Sequence, residues 1–379
     1  MTRLVAIDLP ASDRLRAEVE RAWQAGDAVL PLDQRMNPAI RRKLAEALGA
    51  DELISEHGRE LLPSTGISLV PLESGDALVI ATSGSTGTPK GVVHTHTSIA
   101  AHARMAAERL ALTSLDHWWL CIPAAHIGGF GVLSRAMLLG SRVSFAHHVD
   151  DASLTRARAN GASHTSVVPT LLSRYSFAEW KLVLVGAARS GSLPPNAIST
   201  YGLTETCGGV VYNGIALRGV DVRLTNGRIF VRTPSLARTY RHAPLVLVDG
   251  WFDTGDVGTF NGAQQGDRLG DGMLRVEGRG DDLIITGGNK VWPHIVEQRL
   301  REHPLVADVV VRGVPDHEWG SLVAAWIVPT TKDRPPTLDA LRAHVKETLA
   351  AYCAPRRITL TESIPRSALG KPLMSELSQ

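Results

Sequence analysis

A chain of 379 residues with 40 Lys+Arg against 38 Asp+Glu has a formal net charge of +2, and 44% of it is hydrophobic, 21% charged and 5% aromatic. That composition excludes disordered, collagen-like and disulfide-stapled chains, and the near-neutral balance offers neither a basic face for nucleic acid nor an acidic tail. No apolar run approaches the roughly 20 residues of a membrane helix, and residues 1–8 lack a signal peptide's apolar stretch.

The length predicts about two to three domains. Leu15, Val19 and Trp23 share one helical face. Asn37 caps a second helix, with Pro38 at its first position, Ile40, Leu44 and Leu48 as its stripe and Gly49 at its end. Residues 59–76 read as a connector. From Asp76 onward short apolar runs (77–81, 118–122, 142–146, 164–168, 181–185) alternate with helical segments. That alternation predicts strands crossed over by helices, hence a largely parallel sheet whose ligands sit beyond the carboxyl ends of strands. After about residue 215 short strands with Gly and Asn turns, such as 222–224, Asn226-Gly227 and 229–231, predict an antiparallel or barrel-like subdomain. From about 282 come a strand (283–286), a helix opened by Pro293 and stopped before Pro304, two strands (307–312, 322–328) and a helix carrying Leu338, Leu341, Val345 and Leu349 on one face. The expected class is α/β, with a large N-terminal domain over 1–280, mainly parallel sheets plus the barrel-like part, and a small α+β domain over 281–379. Cys121, Cys207 and Cys353 lie far apart with no CxxC, as expected of reduced thiols packed in a cytoplasmic protein.

The strongest local signal is Ala81-Thr-Ser-Gly-Ser-Thr-Gly-Thr-Pro-Lys-Gly91, directly after an apolar strand. Glycines let backbone N–H groups curl around an anion, Ser and Thr hydroxyls add neutral donors, and Lys90 adds a point charge suited to a polyphosphate. The spacing is not that of the P-loop. The bland alternative, a flexible polar surface loop, is weakened by the lysine and proline placed after the strand.

Thr82–Gly91 resembles the phosphate loop of the adenylate-forming superfamily of acyl-CoA synthetases, peptide-synthetase adenylation domains and luciferases. Four further segments resemble that superfamily's in the same order: Tyr201-Gly-Leu-Thr-Glu-Thr206, Gly250-Trp-Phe-Asp-Thr-Gly-Asp256, Gly278-Arg-Gly-Asp-Asp-Leu-Ile-Ile-Thr-Gly-Gly288 and Pro365-Arg-Ser-Ala-Leu-Gly-Lys371. The resemblance implies that a carboxylate attacks the α-phosphate of ATP, pyrophosphate leaves, and a thiol then displaces AMP, with ATP, Mg²⁺ and coenzyme A as cofactors and co-substrates. It implies ATP contacts from Thr82, Ser83, Gly84, Ser85, Thr86, Gly87, Thr88 and Lys90, an adenine wall at Gly186, Ala187 and Ala188, and further contacts from Tyr201 and Thr204. Glu205 would hold the metal. Asp256 and Arg279 would bind the ribose, or else each would pair with some opposite charge in a structural salt bridge. Lys371 would be the catalytic lysine of a mobile C-terminal lid that rotates about Asp281, with Gly287, Gly288 and Trp319 lining the pantetheine path. Trp319 reads equally as a core aromatic.

His126, with Gly128 soon after it, would lie between the acyl pocket and the α-phosphate, together with Gly208 and Gly209. Arg135 stands in an almost wholly apolar segment, 130–139, without a carboxylate nearby in sequence. A buried arginine needs a partner. A ligand carboxylate and a snorkel to solvent are both open readings. Residues 118–146, 163–175 and 201–213 are similar to the short o-succinylbenzoate–CoA ligases of the menaquinone pathway, whose substrate carries two carboxylates. The first 60 or so residues match nothing we can place. His94, His96, His147 and His148 lack metal-ligand spacing and read as ordinary polar residues. The leading expectation is an AMP-forming acid–thiol ligase, with a small carboxylic acid, ATP and CoA as partners, no nucleic acid, no membrane span, and homodimerisation left open. A ligase for another aryl or short acyl acid, an enzyme loading a carrier-protein thiol, and a non-catalytic nucleotide binder are the alternatives. The intact Lys90, Glu205, Asp256 and Lys371 argue against the last.

Overall fold

The computed structural model describes residues 2–83, 89–146, 148–186, 193–261, 264–265, 268–269 and 272–366. It divides into two compact units, one of Met1–Thr254 with Phe260–Arg275, the other of Gly255–Thr259 with the chain from Val276 on.

The larger unit holds two seven-stranded sheets. The first runs in the order Thr239–Tyr240, Pro89–Thr95, Asp76–Ser83, Ala28–Pro31, Leu4–Asp8, Glu52–Ser55, Gly58–Leu61. The opening residues therefore build the sheet in which the phosphate-loop strand sits, parallel to Ala28–Pro31 through Val29 and Leu78. Leu4–Ile7 and Ala28–Leu30 are buried residue by residue. Strands covered on both faces show no period-2 alternation, so their short apolar runs carry no strand signal in the sequence. The reading of 59–76 as pure connector also changes: Gly58–Leu61 pairs antiparallel with Glu52–Ser55.

The helix Asp13–Gln24 begins where Ser12 accepts from the Leu15 N–H, and it buries Leu15 and Val19 as the periodicity predicts. The helix Pro38–Ala47 starts at the proline behind the Asn37 cap. Leu48 and Ala45 face the core, but Ile40 is 52% exposed, so the expected stripe begins at Leu44.

The second sheet runs in the order Ile215–Ala216, Gly208–Tyr212, Ala197–Leu203, Leu182–Gly186, His164–Val167, His117–Leu120, Arg142–Phe145. Its last five strands are parallel, as the alternating pattern predicts. Asp76–Ser83 belongs to the other sheet, so the five apolar runs do not form one layer. Trp119, Val183 and Val185 pack with Leu154, Phe177 and Trp180 in the core beside this sheet. Beyond it, Asp221–Thr225 and Arg228–Arg232 form a hairpin. Its turn residues Asn226 (φ 53°) and Gly227 (φ 80°) are both left-handed, as a type I′ turn requires.

In the smaller unit, Asn289–Val291, Ile284–Thr286, Gly320–Pro329 and Val306–Asp316 form an antiparallel sheet, with Arg357–Leu360 running parallel to Gly320–Pro329. The helices Pro293–Arg301 and Leu338–Lys346 bury Val296, Leu300, Leu341 and Val345 against Ile284, Val309 and Val323. No helix among the described residues is long and apolar enough to cross a membrane.

Candidate active site

The phosphate-loop segment is bracketed by an antiparallel pair in which Thr82 faces Lys90 and Ser83 faces Pro89. Lys90 therefore stands in a strand rather than in the loop. Pro89 suits the strand's first position because it has no N–H to offer a ladder. Gly84, Ser85, Thr86, Gly87 and Thr88 lie outside the described residues, as do Ala187, Ala188, His147 and Lys371.

Gly186 ends its strand and pairs with Thr200, next to Tyr201, so two of the expected ATP positions meet at the carboxyl end of the parallel sheet. A Cβ on Gly186 would meet nothing within 4 Å among the described residues. After Leu203 the chain turns sharply. Thr206, fully buried, holds the turn: its hydroxyl takes the Leu203 N–H at 2.8 Å and donates to the Gly208 carbonyl at 2.7 Å. Thr204 and Glu205 sit on this turn. Glu205 Oε1 accepts from the Tyr240 hydroxyl at 2.9 Å, and Lys90 Nζ lies 5.7 Å from the centre of the same ring.

His94 is fully buried. Its Nε2–H donates to the Thr204 carbonyl at 2.7 Å, with Ser98 Oγ 3.3 Å from Nδ1. Burial pulls its pKa down to about 4, partly offset by the bond to Thr204, so the ring is neutral and its tautomer fixed. It is an anchor for the Thr204–Glu205 turn and not an ordinary polar residue. His148 pairs with Asp150 at 2.7 Å. No cluster of three or more metal-ligating side chains occurs among the described residues.

His126 precedes the helix Ile127–Leu139 and is one quarter exposed at its side chain. Its Nε2 lies 3.1 Å from Asp33 Oδ2 and 2.8 Å from Arg35 Nη2. Asp33 is 3% exposed and receives Arg35 Nε and Nη2 as well as the Arg35 N–H. Burial alone would raise the Asp33 carboxyl, but the hydrogen bonds from His126 and Arg35 outweigh it and hold it well below the usual carboxylate range. Gly128 has only Ile122 at ordinary contact distance, whereas a Cβ on Gly129 would come within 2.3 Å of the Pro123 carbonyl, so the close approach belongs to Gly129.

Arg135, from the same helix, is 3% exposed, which removes the snorkelling reading. Its guanidinium lies 4.9 Å from the centre of the Trp118 ring, and its Nε has no hydrogen-bond partner among the described residues. Burial pulls its pKa down. Its surroundings are Trp118, Tyr212, Cys207 and His102, none of them an anion at neutral pH: burial raises Cys207 to about 12 and pushes Tyr212 upward. His102 donates from Nε2 to the Gly209 carbonyl at 2.9 Å, and its pKa is drawn down to about 3 by burial and by the charge of Arg135. Gly208, at φ 113°, has the His102 ring 3.2 Å from where a Cβ would stand, and a Cβ on Gly209 would press on Thr200 and Tyr212 at 2.9 Å. Gly208, Gly209, His102 and Arg135 thus form one neighbourhood.

In the smaller unit Arg279 Nη1 lies 3.5 Å from Asp256 Oδ1, so the two expected ribose contacts are neighbours. Asp281 is exposed in the short turn Gly280–Asp282. Gly287 (φ 53°) faces the Trp319 ring, which would stand 2.8 Å from an added Cβ, while Gly288 faces open space. The other partner of Trp319 is Arg356, 3.8 Å from the ring centre. The bareness of Gly287 is filled by tryptophan, a different reason for glycine than the open passage expected from the sequence. Asp33, Arg35, His102, Tyr240 and Arg356 are absent from the sequence expectations, and His94 is given no role there, because each meets its partner across a long stretch of chain or, for Arg35, through a residue so placed.

Comparison with known proteins places this geometry. The family model described as AMP-binding enzyme matches residues 32–241, and that of the AMP-binding enzyme C-terminal domain matches residues 295–371. A Mycobacterium tuberculosis protein named "Probable 2-succinylbenzoate–CoA ligase" is 35% identical over 362 residues, covering 88% of this chain and 92% of its own. The 2-succinylbenzoate–CoA ligase of Listeria monocytogenes is 31% identical over 340 residues, covering 80% and 70%. Among solved structures, the Bacillus subtilis o-succinylbenzoate CoA synthetase in complex with the acyl-adenylate OSB-AMP superposes with a TM-score of 0.82 at 24% identity, over 100% of this chain and 88% of that one. The same enzyme with ATP and magnesium ion gives 0.82 at 23%, over 99% and 89%. At these identities the structural likeness is one of fold. With the family model matching over half of the chain and a relative so similar along nearly its whole length, the chain belongs to the AMP-binding enzyme family.

Proposed function

We propose that this chain is an AMP-forming acid–thiol ligase that acts on 2-succinylbenzoate, with ATP, Mg²⁺ and coenzyme A. A carboxylate oxygen attacks the α-phosphorus, the bond to the β-phosphate oxygen breaks, and pyrophosphate leaves with that electron pair. The thiolate of CoA then attacks the acyl carbon, and AMP leaves. Two anions must meet in the first step, so the protein's main task is charge neutralisation. Lys90 serves the phosphates, Glu205 the Mg²⁺, Thr204 the α-phosphate, and Asp256 with Arg279 the ribose. Lys371 bridges the attacking carboxylate and the α-phosphate. Gly287, Gly288 and Trp319 serve CoA after the domain from 281 on has turned about Asp281. The need for cellular ATP and CoA supports a cytoplasmic location.

The observation that carries the choice of acid is Arg135: a buried guanidinium with no carboxylate beside it among the described residues, in the neighbourhood of His102, Gly208 and Gly209. Leaving such a charge unpaired costs several kcal/mol, on the order of what one ion's desolvation costs. A substrate with a second carboxylate supplies the missing partner. The test is direct. The purified protein is incubated with ATP, Mg²⁺, CoA and a panel of mono- and dicarboxylic acids, and AMP and acyl-CoA are read by mass spectrometry. 2-Succinylbenzoate should give both. AMP without acyl-CoA would point to a carrier-protein acceptor, and preference for a monocarboxylic acid would overturn the role of Arg135. Lys371→Ala should abolish pyrophosphate release while sparing thioester formation from supplied acyl-adenylate.

A further inference from the structure

Tyr240 touches two groups that the proposed chemistry needs and that lie 115 positions apart in sequence. Its hydroxyl donates to Glu205 Oε1 at 2.9 Å, and Lys90 Nζ lies 5.7 Å from its ring centre. The placement follows from the backbone. The two-residue strand Thr239–Tyr240 pairs antiparallel with Pro89–Thr95, Tyr240 opposite Val92 and Thr239 opposite Val93. Side chains alternate along a strand, so Lys90 and Val92 point the same way, and Tyr240 and Lys90 are diagonal neighbours on that face. The preceding residues grip the other side: the Ala237 N–H donates to the Glu205 carbonyl at 2.7 Å, and Ser235 Oγ donates to the Thr206 carbonyl at 2.9 Å. One short segment, 235–240, thus ties the Lys90 strand to the Glu205 turn.

The Glu205 carboxylate fits a hard cation. Oε1 is taken by the phenol, and Oε2 has no hydrogen-bond partner among the described residues. Mg²⁺ keeps several waters and is commonly held by one or two carboxylates together with substrate phosphates, which matches a site around Glu205 with no cluster of three or more ligating side chains among those residues.

We propose that Tyr240 is a positioning residue for the metal-assisted step: its hydroxyl fixes Glu205 so that Oε2 is the oxygen presented to Mg²⁺, while its ring steadies Lys90 toward the same phosphates. The proposal rests on the reading of Glu205 as the metal carboxylate, and the experiment separates the two. Tyr240→Phe keeps the ring beside Lys90 and removes only the hydroxyl. ATP binding is measured by calorimetry with Mg²⁺ and with chelator, without acid or CoA, so the readout is independent of turnover. Tyr240→Phe should lose about tenfold or more of the affinity that Mg²⁺ adds, the scale of one hydrogen bond to a charged group, and leave metal-free ATP affinity within about twofold. Tyr240→Leu should also weaken metal-free binding, because Lys90 loses the ring. Glu205→Gln is the control. If Glu205→Gln loses the Mg²⁺-dependent gain and Tyr240→Phe keeps it whole, the positioning role is wrong. If Glu205→Gln itself keeps the gain, the metal reading of Glu205 falls and takes the proposal with it.

Discussion

Asp33 Oδ2 stands 3.1 Å from Nε2 of His126, and Arg35 Nη2 reaches the same nitrogen at 2.8 Å. Nε2 can donate to Asp33 or accept from Arg35, not both, so these two residues choose the tautomer of His126 between them. Two residues just beyond the strand Ala28–Pro31 of the first sheet therefore set the ring that precedes the helix carrying Arg135.

If His126 acts on the substrate carboxylate through this pairing, Asp33→Asn should lower kcat/KM for pyrophosphate release by about tenfold or more, the usual scale for a general acid–base or orienting group. ATP–pyrophosphate exchange measures it. The double variant Asp33→Asn/His126→Ala should be no slower than His126→Ala alone, because residues acting as one unit are not additive. Additive losses would mean that Asp33 works elsewhere.

What was legible in the sequence follows from how far each signal reaches. The Asn226-Gly227 turn, the Asn37-Pro38 helix start and the stripe Leu341/Val345 are local chemistry, and each is where the sequence puts it. The parallel order of strands 117–186 follows from the alternation with helices. The membership of Asp76–Ser83 in a different sheet does not, because its parallel partner Ala28–Pro31, and Leu4–Asp8 on the far side of that strand, are short and almost wholly buried runs without periodicity. At the site, Lys90, Glu205 and Arg135 stand out as charges in unusual company. Tyr240, His94 and Asp33 do not, since a tyrosine, a histidine and an aspartate acquire meaning only from the partner they meet. Arg135 is the instructive case: the sequence leaves solvent and ligand open, and burial decides against solvent.

That decision has a measurable consequence. Arg135→Met keeps most of the side chain's volume and removes the charge. Replacing a buried charge that has no acidic partner among the described residues by an apolar residue should leave stability unchanged or raise it by about 1–4 kcal/mol, read by urea unfolding. The same variant should raise KM for 2-succinylbenzoate by about tenfold or more, the scale of a lost charge-assisted bidentate contact, with KM for ATP unchanged. A variant that is both less stable and unaltered in KM would show that Arg135 is structural.

Two of the buried histidines, His94 and His102, make the fold acid-sensitive. His94 and His102 have pKa values drawn down to about 4 and about 3 by burial, against about 6.5 in an unfolded chain. Below pH 6.5 the unfolded chain binds protons that the folded one refuses, so the stability they confer is whole above that pH and is lost as pH falls toward 4 and then 3. Each contributes a slope approaching 1.4 kcal/mol per pH unit between those limits. Unfolding free energies measured from pH 7 to pH 4.5 should therefore fall steeply, and His102→Gln, which retains a side-chain donor for the Gly209 carbonyl, should remove the share of that slope that His102 contributes. An unchanged slope would mean that the rings are already protonated in the folded protein.

Gly287 tests the CoA side of the proposal. At φ 53° an alanine is strained, and its Cβ would stand 2.8 Å from Cε3 of Trp319. Backbone and ring must both give way, at a cost of roughly 1–3 kcal/mol for a non-glycine residue held there. The Trp319 ring is held on its other side by Arg356, while its backbone N–H donates to Asp316 Oδ1 at 2.9 Å, so the displaced ring disturbs the whole Gly287–Trp319–Arg356 stack. Gly287→Ala should leave ATP–pyrophosphate exchange within about twofold of wild type and slow thioester formation from supplied acyl-adenylate by about tenfold or more, the scale set by misplacing a bound reactant by a fraction of an ångström. Gly288→Ala also pays the left-handed φ but meets no neighbour, so the difference between the two variants isolates the contact with Trp319. Equal effects on thioester formation would assign the defect to backbone strain and remove Trp319 from the CoA path.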